Sequence, residues 1–226
     1  MYKGDKVVCP VCQKKFSKFL SYGSNVAHRE NVLCPYDLTL ERHRLMWLYL
    51  KNHSNFFTQK DLKVLHIAPE QCYHKKFKAQ NNLVYLTGDL VSPIADMHFD
   101  LHDIPLESDR FDIVFCNHVM EHVDDAIQCM RELYRVMKPG GWAIIQVPQD
   151  FTRNSTYEDP LITSPEDREK HFWQKDHVRL FGKDYPDWLK KAGFSVEEFD
   201  KDAHYSKETQ EKYRLDTKEV LYILSK

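Results

Sequence analysis

Between residues 63 and 148 the chain carries four short apolar runs, 63–68, 83–88, 111–116 and 142–147, each of strand length and rich in β-branched and aromatic residues. Continuous apolar runs of this length read as strands buried on both faces, the habit of a parallel sheet. Between the third and fourth runs, Asp124 is placed to cap a helix whose Ile127, Met130, Leu133 and Met137 recur at helical spacing. Lys138, Pro139, Gly140 and Gly141 then stop it. Strand, helix and strand in that order make a βαβ unit. Open sheets built from such units take their ligands outside the carboxyl ends of the strands. Glu70, Asp89, Asp100 and Asn117 all fall there, so a ligand site is expected along that edge.

Five pieces of this stretch form a second pattern: Gly88 with Asp89, residues 100–106 from Asp100 to Leu106, residues 109–114 from Asp109, residues 118–123 from His118, and residues 137–141 ending in Gly140 and Gly141. In that order they resemble the class I S-adenosylmethionine-dependent methyltransferases, specifically the type 11 group. The resemblance implies an α/β fold with a Rossmann-like, seven-stranded, mostly parallel sheet flanked by helices, and S-adenosyl-L-methionine as cofactor. It implies that Asp89, with Leu90 beside it, holds the ribose hydroxyls. It also implies that Asp100 and the backbone of Leu101 frame the adenine, and that Asn117 borders the methionine end. The first loop departs from the family, which is Gly-rich there, because the strand ends His66, Ile67, Ala68, Pro69, Glu70. Ala68 is small enough to allow close approach, Pro69 fixes the turn, and Glu70 is placed to face the ammonium or sulfonium.

Cys9 and Cys12 form one Cys-x-x-Cys pair, and Cys34 opens a second with Asp37 in the place of its last cysteine. Two such knuckles are the form of a zinc ribbon, in which four ligands close a tetrahedron around a structural Zn2+. Asp37 supplies a carboxylate oxygen as fourth ligand in this reading, with His28 and His43 as rivals, and three free thiols without metal as the alternative. Residues before Asp61 are too few for a core of their own, so metal is expected to supply local stability. The expected organisation is a ribbon-like segment over 1–38 and a methyltransferase domain over 39–226. Thr39 is placed to cap a helix from Leu40 to Asn52, whose Glu41 to Arg44 run is either a reach toward cofactor or anionic substrate or a solvated first turn.

Residues 149–183 are polar, carry Pro160 and Pro165, and read as a substrate-covering lid insertion. The lid holds Asp176, His177 and Arg179. Together His118, Glu121 and His122 match the His-x-x-Glu-His of inverted zinc proteases. That reading is rejected because the motif follows a strand end inside the cofactor half-sheet. His118 and His177 are the candidate catalytic bases, since an imidazole titrates near neutral pH.

The chain of 226 residues has a formal charge of −2, but its first 60 residues hold ten Lys or Arg against Asp5, Glu30, Asp37 and Glu41. A basic zinc ribbon leaves an RNA acceptor open, as in the rRNA guanine methyltransferases that it resembles. The acidic remainder favours a small-molecule or saccharide acceptor. A third reading is a non-catalytic cofactor-binding module. No apolar run approaches membrane-spanning length and the first residues lack a signal-peptide core, so no membrane partner and a cytoplasmic location are expected. Cys72, Cys116 and Cys129 read as buried thiols.

Overall fold

The structure, a computed structural model, describes residues 2–23, 28–216 and 218–226. In chain order it opens with β1 (Val7–Val8), β2 (Lys15–Phe16), β3 (Leu20–Tyr22), β4 (Arg29–Leu33) and α1 (Glu41–Asn52). The central stretch runs β5 (Leu62–Ile67), α2 (Gln71–Lys78), β6 (Leu83–Asp89), β7 (Met97–His98), β8 (Phe111–Cys116), α3 (Ala126–Val136) and β9 (Met137–Ile144). Then follow β10 (Tyr157–Glu158), α4 (Pro165–Phe172), β11 (Arg179–Leu180), α5 (Tyr185–Lys191), β12 (Ser195–Phe199), α6 (Lys201–His204), α7 (Lys207–Tyr213) and β13 (Leu221–Ser225). Contacts divide the chain into two compact units, residues 1–59 with 198–221, and residues 60–197 with 222–226.

The first unit pairs β1 with β2 and β3 with β4, both antiparallel. Its centre is Arg44, which is fully buried. The guanidinium donates to the carbonyls of Val32 and Thr39, each at 2.8 Å, and to those of Tyr213 at 2.6 Å and Arg214 at 2.7 Å. Phe19 lies under it, 4.7 Å from ring centroid to guanidinium. Four carbonyls and an aromatic face offset the desolvation of a buried charge. Burial still draws the Arg44 pKa down to about 10. Arg44 is therefore a structural tie between β4, the start of α1 and the end of α7, neither a substrate contact nor a solvated first turn. The cap of α1 also differs from expectation: Leu40 is the N-cap, and its amide donates to Nδ1 of His43 at 2.9 Å. Thr39 instead donates its hydroxyl to Asp37 at 2.9 Å.

In the second unit β7, β6, β5, β8 and β9 lie side by side in parallel, and β13 joins β9 antiparallel, giving the seven-stranded order β12-β13-β9-β8-β5-β6-β7. The core is aliphatic and aromatic: Val64, Leu65, Ile113, Val114, Phe115 and Ile144 are all fully buried. The expected α/β fold class is the one observed, and four of the expected strands fall within a few residues of their predicted limits. Helix α3 is capped by Asp125, whose carboxylate accepts from the Gln128 amide at 2.9 Å, one residue beyond the expected Asp124. Strand β9 begins at Met137, directly after α3, because the stretch around Gly140 (φ +77°) bulges inside the strand instead of forming a separate turn. Sequence order reverses between β5 and β8, and that switch point positions the site.

Candidate functional site

Three adjacent strands end together at the switch point. Ala68 and Glu70 follow β5, Asp89 closes β6, and Asn117 follows β8. Ala68 adopts φ +49°, the left-handed region where the missing glycine would rest without strain, and its amide donates to the Gly88 carbonyl at 2.8 Å. Behind it runs a polar chain through an otherwise apolar layer. Tyr85 hydroxyl meets His66 Nδ1 at 2.8 Å, His66 Nε2 meets Glu70 Oε2 at 2.5 Å, and Asn117 Nδ2 donates to Glu70 Oε1 at 3.0 Å. The Gln146 amide then donates to Asn117 Oδ1 at 3.2 Å. A carboxylate only accepts, so in the neutral ring His66 donates from Nε2 and the Tyr85 hydroxyl donates to Nδ1. Burial holds the Tyr85 phenol well above its ordinary pKa, which keeps that proton in place. The network aims Glu70 and Asn117 at the sheet edge. Sequence reading missed His66 and Tyr85, although a lone histidine inside a buried strand, four residues before a glutamate, was the available signal.

Asp89 Oδ1 accepts from the amides of Val91 at 2.8 Å and Ser92 at 2.7 Å, which fixes the carboxylate at the strand end. Leu90 beside it is 65% exposed. Gly88 has no room for a side chain, because a Cβ there would lie 2.3 Å from the Phe99 ring. The Phe99 ring therefore fills the space over Gly88, and the next residues, Asp100 and Leu101, follow directly from it. Asp100 accepts from both the amide and the ring of His102, at 2.9 and 2.7 Å, and those bonds lower its pKa. The loop beyond is held by α3. Glu132 accepts from the Ile104 amide at 2.8 Å, while Arg135 donates to the carbonyls of Ile104 and Leu106, each at 2.8 Å. Glu132 and Arg135 were invisible as site-positioning residues in the sequence, where they look like an ordinary helical ion pair.

The turn after Asn117 holds the histidines. His118 has φ +56°, and its Nδ1 stands 3.2 Å from Glu121 Oε1. Residues 118–123 form turns and not a helix, so the ring geometry of a zinc-protease helix does not arise. Burial works to raise the Glu121 carboxyl, but His118 and His122 outweigh it and leave it below its usual pKa. His177 arrives from the 149–183 segment and is buried, with Nδ1 against the Phe172 carbonyl at 2.8 Å. Arg179, also buried, donates to the carbonyls of Met120, Val123 and Asp124 and to Glu158. It fastens that segment to the 118–124 turn and is fully engaged there.

In the first unit Cys9, Cys12, Cys34 and Asp37 place their ligand atoms within 4.8 Å of one another. Cys12 Sγ and Cys34 Sγ are 3.8 Å apart, and Asp37 reaches Cys9 Sγ at 3.5 Å. Zinc–sulfur bonds of about 2.3 Å in a tetrahedron set sulfurs about 3.8 Å apart, so the donors suit zinc. The two knuckles repeat each other atom for atom. Cys9 bonds to the Lys14 carbonyl and Gln13 to the Cys9 carbonyl, while Cys34 bonds to the Thr39 carbonyl and Leu38 to the Cys34 carbonyl. Gln13 and Leu38 take φ of +61° and +58°. Asp37 thus stands to Cys34 as Cys12 stands to Cys9. The rivals are engaged elsewhere: His28 pairs with Glu30 at 2.8 Å, and His43 accepts from Leu40.

Residues 48–145 match the family described as "Methyltransferase domain". That segment is a methyltransferase domain. It begins within α1, ends just past β9, and contains Ala68, Asp89, Asp100, Asn117 and His118; the four-donor cluster and His177 lie outside it. A Mycolicibacterium smegmatis protein named a probable S-adenosylmethionine-dependent methyltransferase is 29% identical over 102 residues, which are 45% of this chain and 35% of that protein. A Desulforapulum autotrophicum tRNA U34 carboxymethyltransferase is 28% identical over 140 residues, 61% of this chain and 39% of that protein. The chain therefore matches well under half the length of either relative. Among solved structures, phosphoethanolamine N-methyltransferase 2 of Haemonchus contortus, in complex with S-adenosyl-L-methionine, superposes with a TM-score of 0.52 at 14% identity, covering 80% of this chain and 51% of that one. That likeness is one of fold.

Proposed function

We propose that the chain transfers a methyl group from S-adenosyl-L-methionine to a small-molecule or saccharide-type acceptor. The observation that carries the reading is the meeting of Ala68, Asp89 and Asn117 at the carboxyl ends of three adjacent parallel strands inside a methyltransferase domain. Asp89, with Oδ1 already fastened, offers Oδ2 to the ribose, and Leu90 flanks it. Asp100 and the Leu101 backbone bound the adenine. The small Ala68 lets the backbone approach the methionine moiety, while Glu70 and Asn117 face its charged end. The cofactor supplies an activated methyl sulfonium, so the protein's work is alignment. Holding acceptor and methyl in near-attack geometry lowers the barrier by roughly 7–11 kcal/mol. His118, partly exposed and backed by Glu121, is placed to take the acceptor proton, a contribution of about 10²–10⁴-fold. His177, packed behind Glu121, supports it, and residues 149–183 cover the acceptor side.

Cys9, Cys12, Cys34 and Asp37 hold a structural zinc in this account: four protein ligands leave no open position for substrate. None of the six cysteines is in a disulfide, which is in keeping with a cytoplasmic role, and among the described residues no helix is long and apolar enough to cross a membrane. An RNA acceptor is the second reading, favoured by the basic first 60 residues and by the tRNA-modifying relative. Incubation with methyl-labelled cofactor and cell extract separated into RNA, protein and metabolite fractions distinguishes them. Label in the metabolite fraction supports the first reading, and label confined to RNA replaces it with the second.

A further inference from the structure

Glu121, His122 and His177 come together from two segments, and nothing in the methyl-transfer reading requires all three. One oxygen of Glu121 and one ring nitrogen of each histidine lie within 4.8 Å of one another. Glu121 is 1% exposed; its Oε1 has His118 Nδ1 beside it at 3.2 Å, and its buried Oε2 has no hydrogen-bond partner. His177 is equally buried. Its Nδ1 faces a carbonyl, which can only accept, so Nδ1 carries the proton and the neutral ring presents a bare lone pair at Nε2. That buried Nε2 has no hydrogen-bond partner. A buried carboxylate and a buried imidazole lone pair thus converge with no donor between them, an arrangement that is costly unless a cation sits there. His122 forms the open side. It is half-exposed, and its Nδ1 faces Asp176 Oδ2 at 3.3 Å, the carboxylate–histidine pairing that orients metal-bound rings.

We propose that Glu121, His122 and His177 bind a divalent first-row metal ion, with positions left open on the His122 side for an oxygen ligand from solvent or substrate. Two imidazoles and one carboxylate are the donor set of open, three-ligand sites, distinct from the closed, thiolate-rich cluster of the first unit. The pairing is also unlike that of the rejected zinc-protease motif, because His118 is replaced by His177. The site ties the 118–124 turn to the 149–183 segment, where the Val178 amide already donates to the Glu121 carbonyl at 2.8 Å and Arg179 holds the same turn.

The test is a Mn2+ titration of the full chain followed by electron paramagnetic resonance, since Mn2+ favours oxygen and imidazole donors over thiolates. The wild type is expected to bind one Mn2+ per chain saturably, His122→Ala and His177→Ala to lose at least about tenfold in affinity, and Cys12→Ser to keep it. Because His122 is half-exposed, His122→Ala should retain the wild-type melting transition even if the buried variant does not. No saturable Mn2+ binding by the wild type, or unchanged affinity in His122→Ala, overturns the site. Calorimetry with S-adenosyl-L-methionine on the same samples reports separately on the proposed function, so either reading can fail without the other.

Discussion

Ala68 sits where the fold asks for glycine, and its φ of +49° shows that the backbone keeps the glycine conformation with an alanine in it. A Cβ in the left-handed region costs roughly 1–2 kcal/mol. Ala68→Gly should relieve that strain while adding freedom to the unfolded chain, for a net gain of up to about 1 kcal/mol with cofactor affinity kept. Ala68→Val adds a β-branched side chain and should lose about 1–2 kcal/mol or more along with cofactor affinity. Urea unfolding and calorimetry check both, and a Val variant as stable as wild type would show that the loop relaxes out of the left-handed region. The missing glycines were legible in the sequence as a departure. That the alanine would nonetheless hold the glycine's φ was not, because the bond from its amide to Gly88 lies across two strands.

Among the elements, α3 does more than cover the sheet. Arg135 holds the Glu132 carboxyl below the ordinary 4.5 of a glutamate, against the opposing effect of burial, and the Ile104 amide adds to it. A carboxyl with a depressed folded pKa binds fewer protons in the folded state than in the unfolded one. Its contribution is therefore complete above about pH 4.5 and is lost as the pH falls through the lower folded value. Glu132→Gln should cost about 1.5–3 kcal/mol at pH 7 and flatten the acid limb of a melting-temperature profile between pH 7 and 3. An acid limb identical to wild type would remove Glu132 from the account. The paired knuckles carry a second element-scale prediction. Asp37→Cys should tighten zinc and Asp37→Ala should weaken it about tenfold or more, loosening the knuckles before the sheet, as read by metal analysis and hydrogen exchange. Full zinc affinity in Asp37→Ala, with loss in His28→Ala or His43→Ala, would contradict this ligand set. The spacing of Cys9, Cys12 and Cys34 made the cluster legible. The preference for Asp37 over its two rivals, His28 and His43, rests on the repeated backbone bonds of the two turns, which no spacing encodes.

For the molecule as a whole, the parallel sheet was readable because buried strands have no solvent face and so write continuous apolar runs. The first unit was not. Residues before Asp61 looked too few to build a core, yet residues 198–221 join them, and Arg44, which reads as a surface charge, is spent on carbonyls at both ends of the chain. The His177–Glu121 meeting escaped the sequence for the same reason: its partners are far apart in the chain and each has an ordinary local explanation. What unites the sheet edge, the held loops and the methyltransferase domain is the claim that this edge binds S-adenosyl-L-methionine. Isothermal calorimetry of the wild type and Asp89→Ala with S-adenosyl-L-methionine and its demethylated product tests it most directly. The account predicts one site for both ligands, weakened by about 1.5–3 kcal/mol in Asp89→Ala through loss of charge-assisted ribose bonds; no binding of either ligand to the wild type, or equal binding in Asp89→Ala, would contradict it.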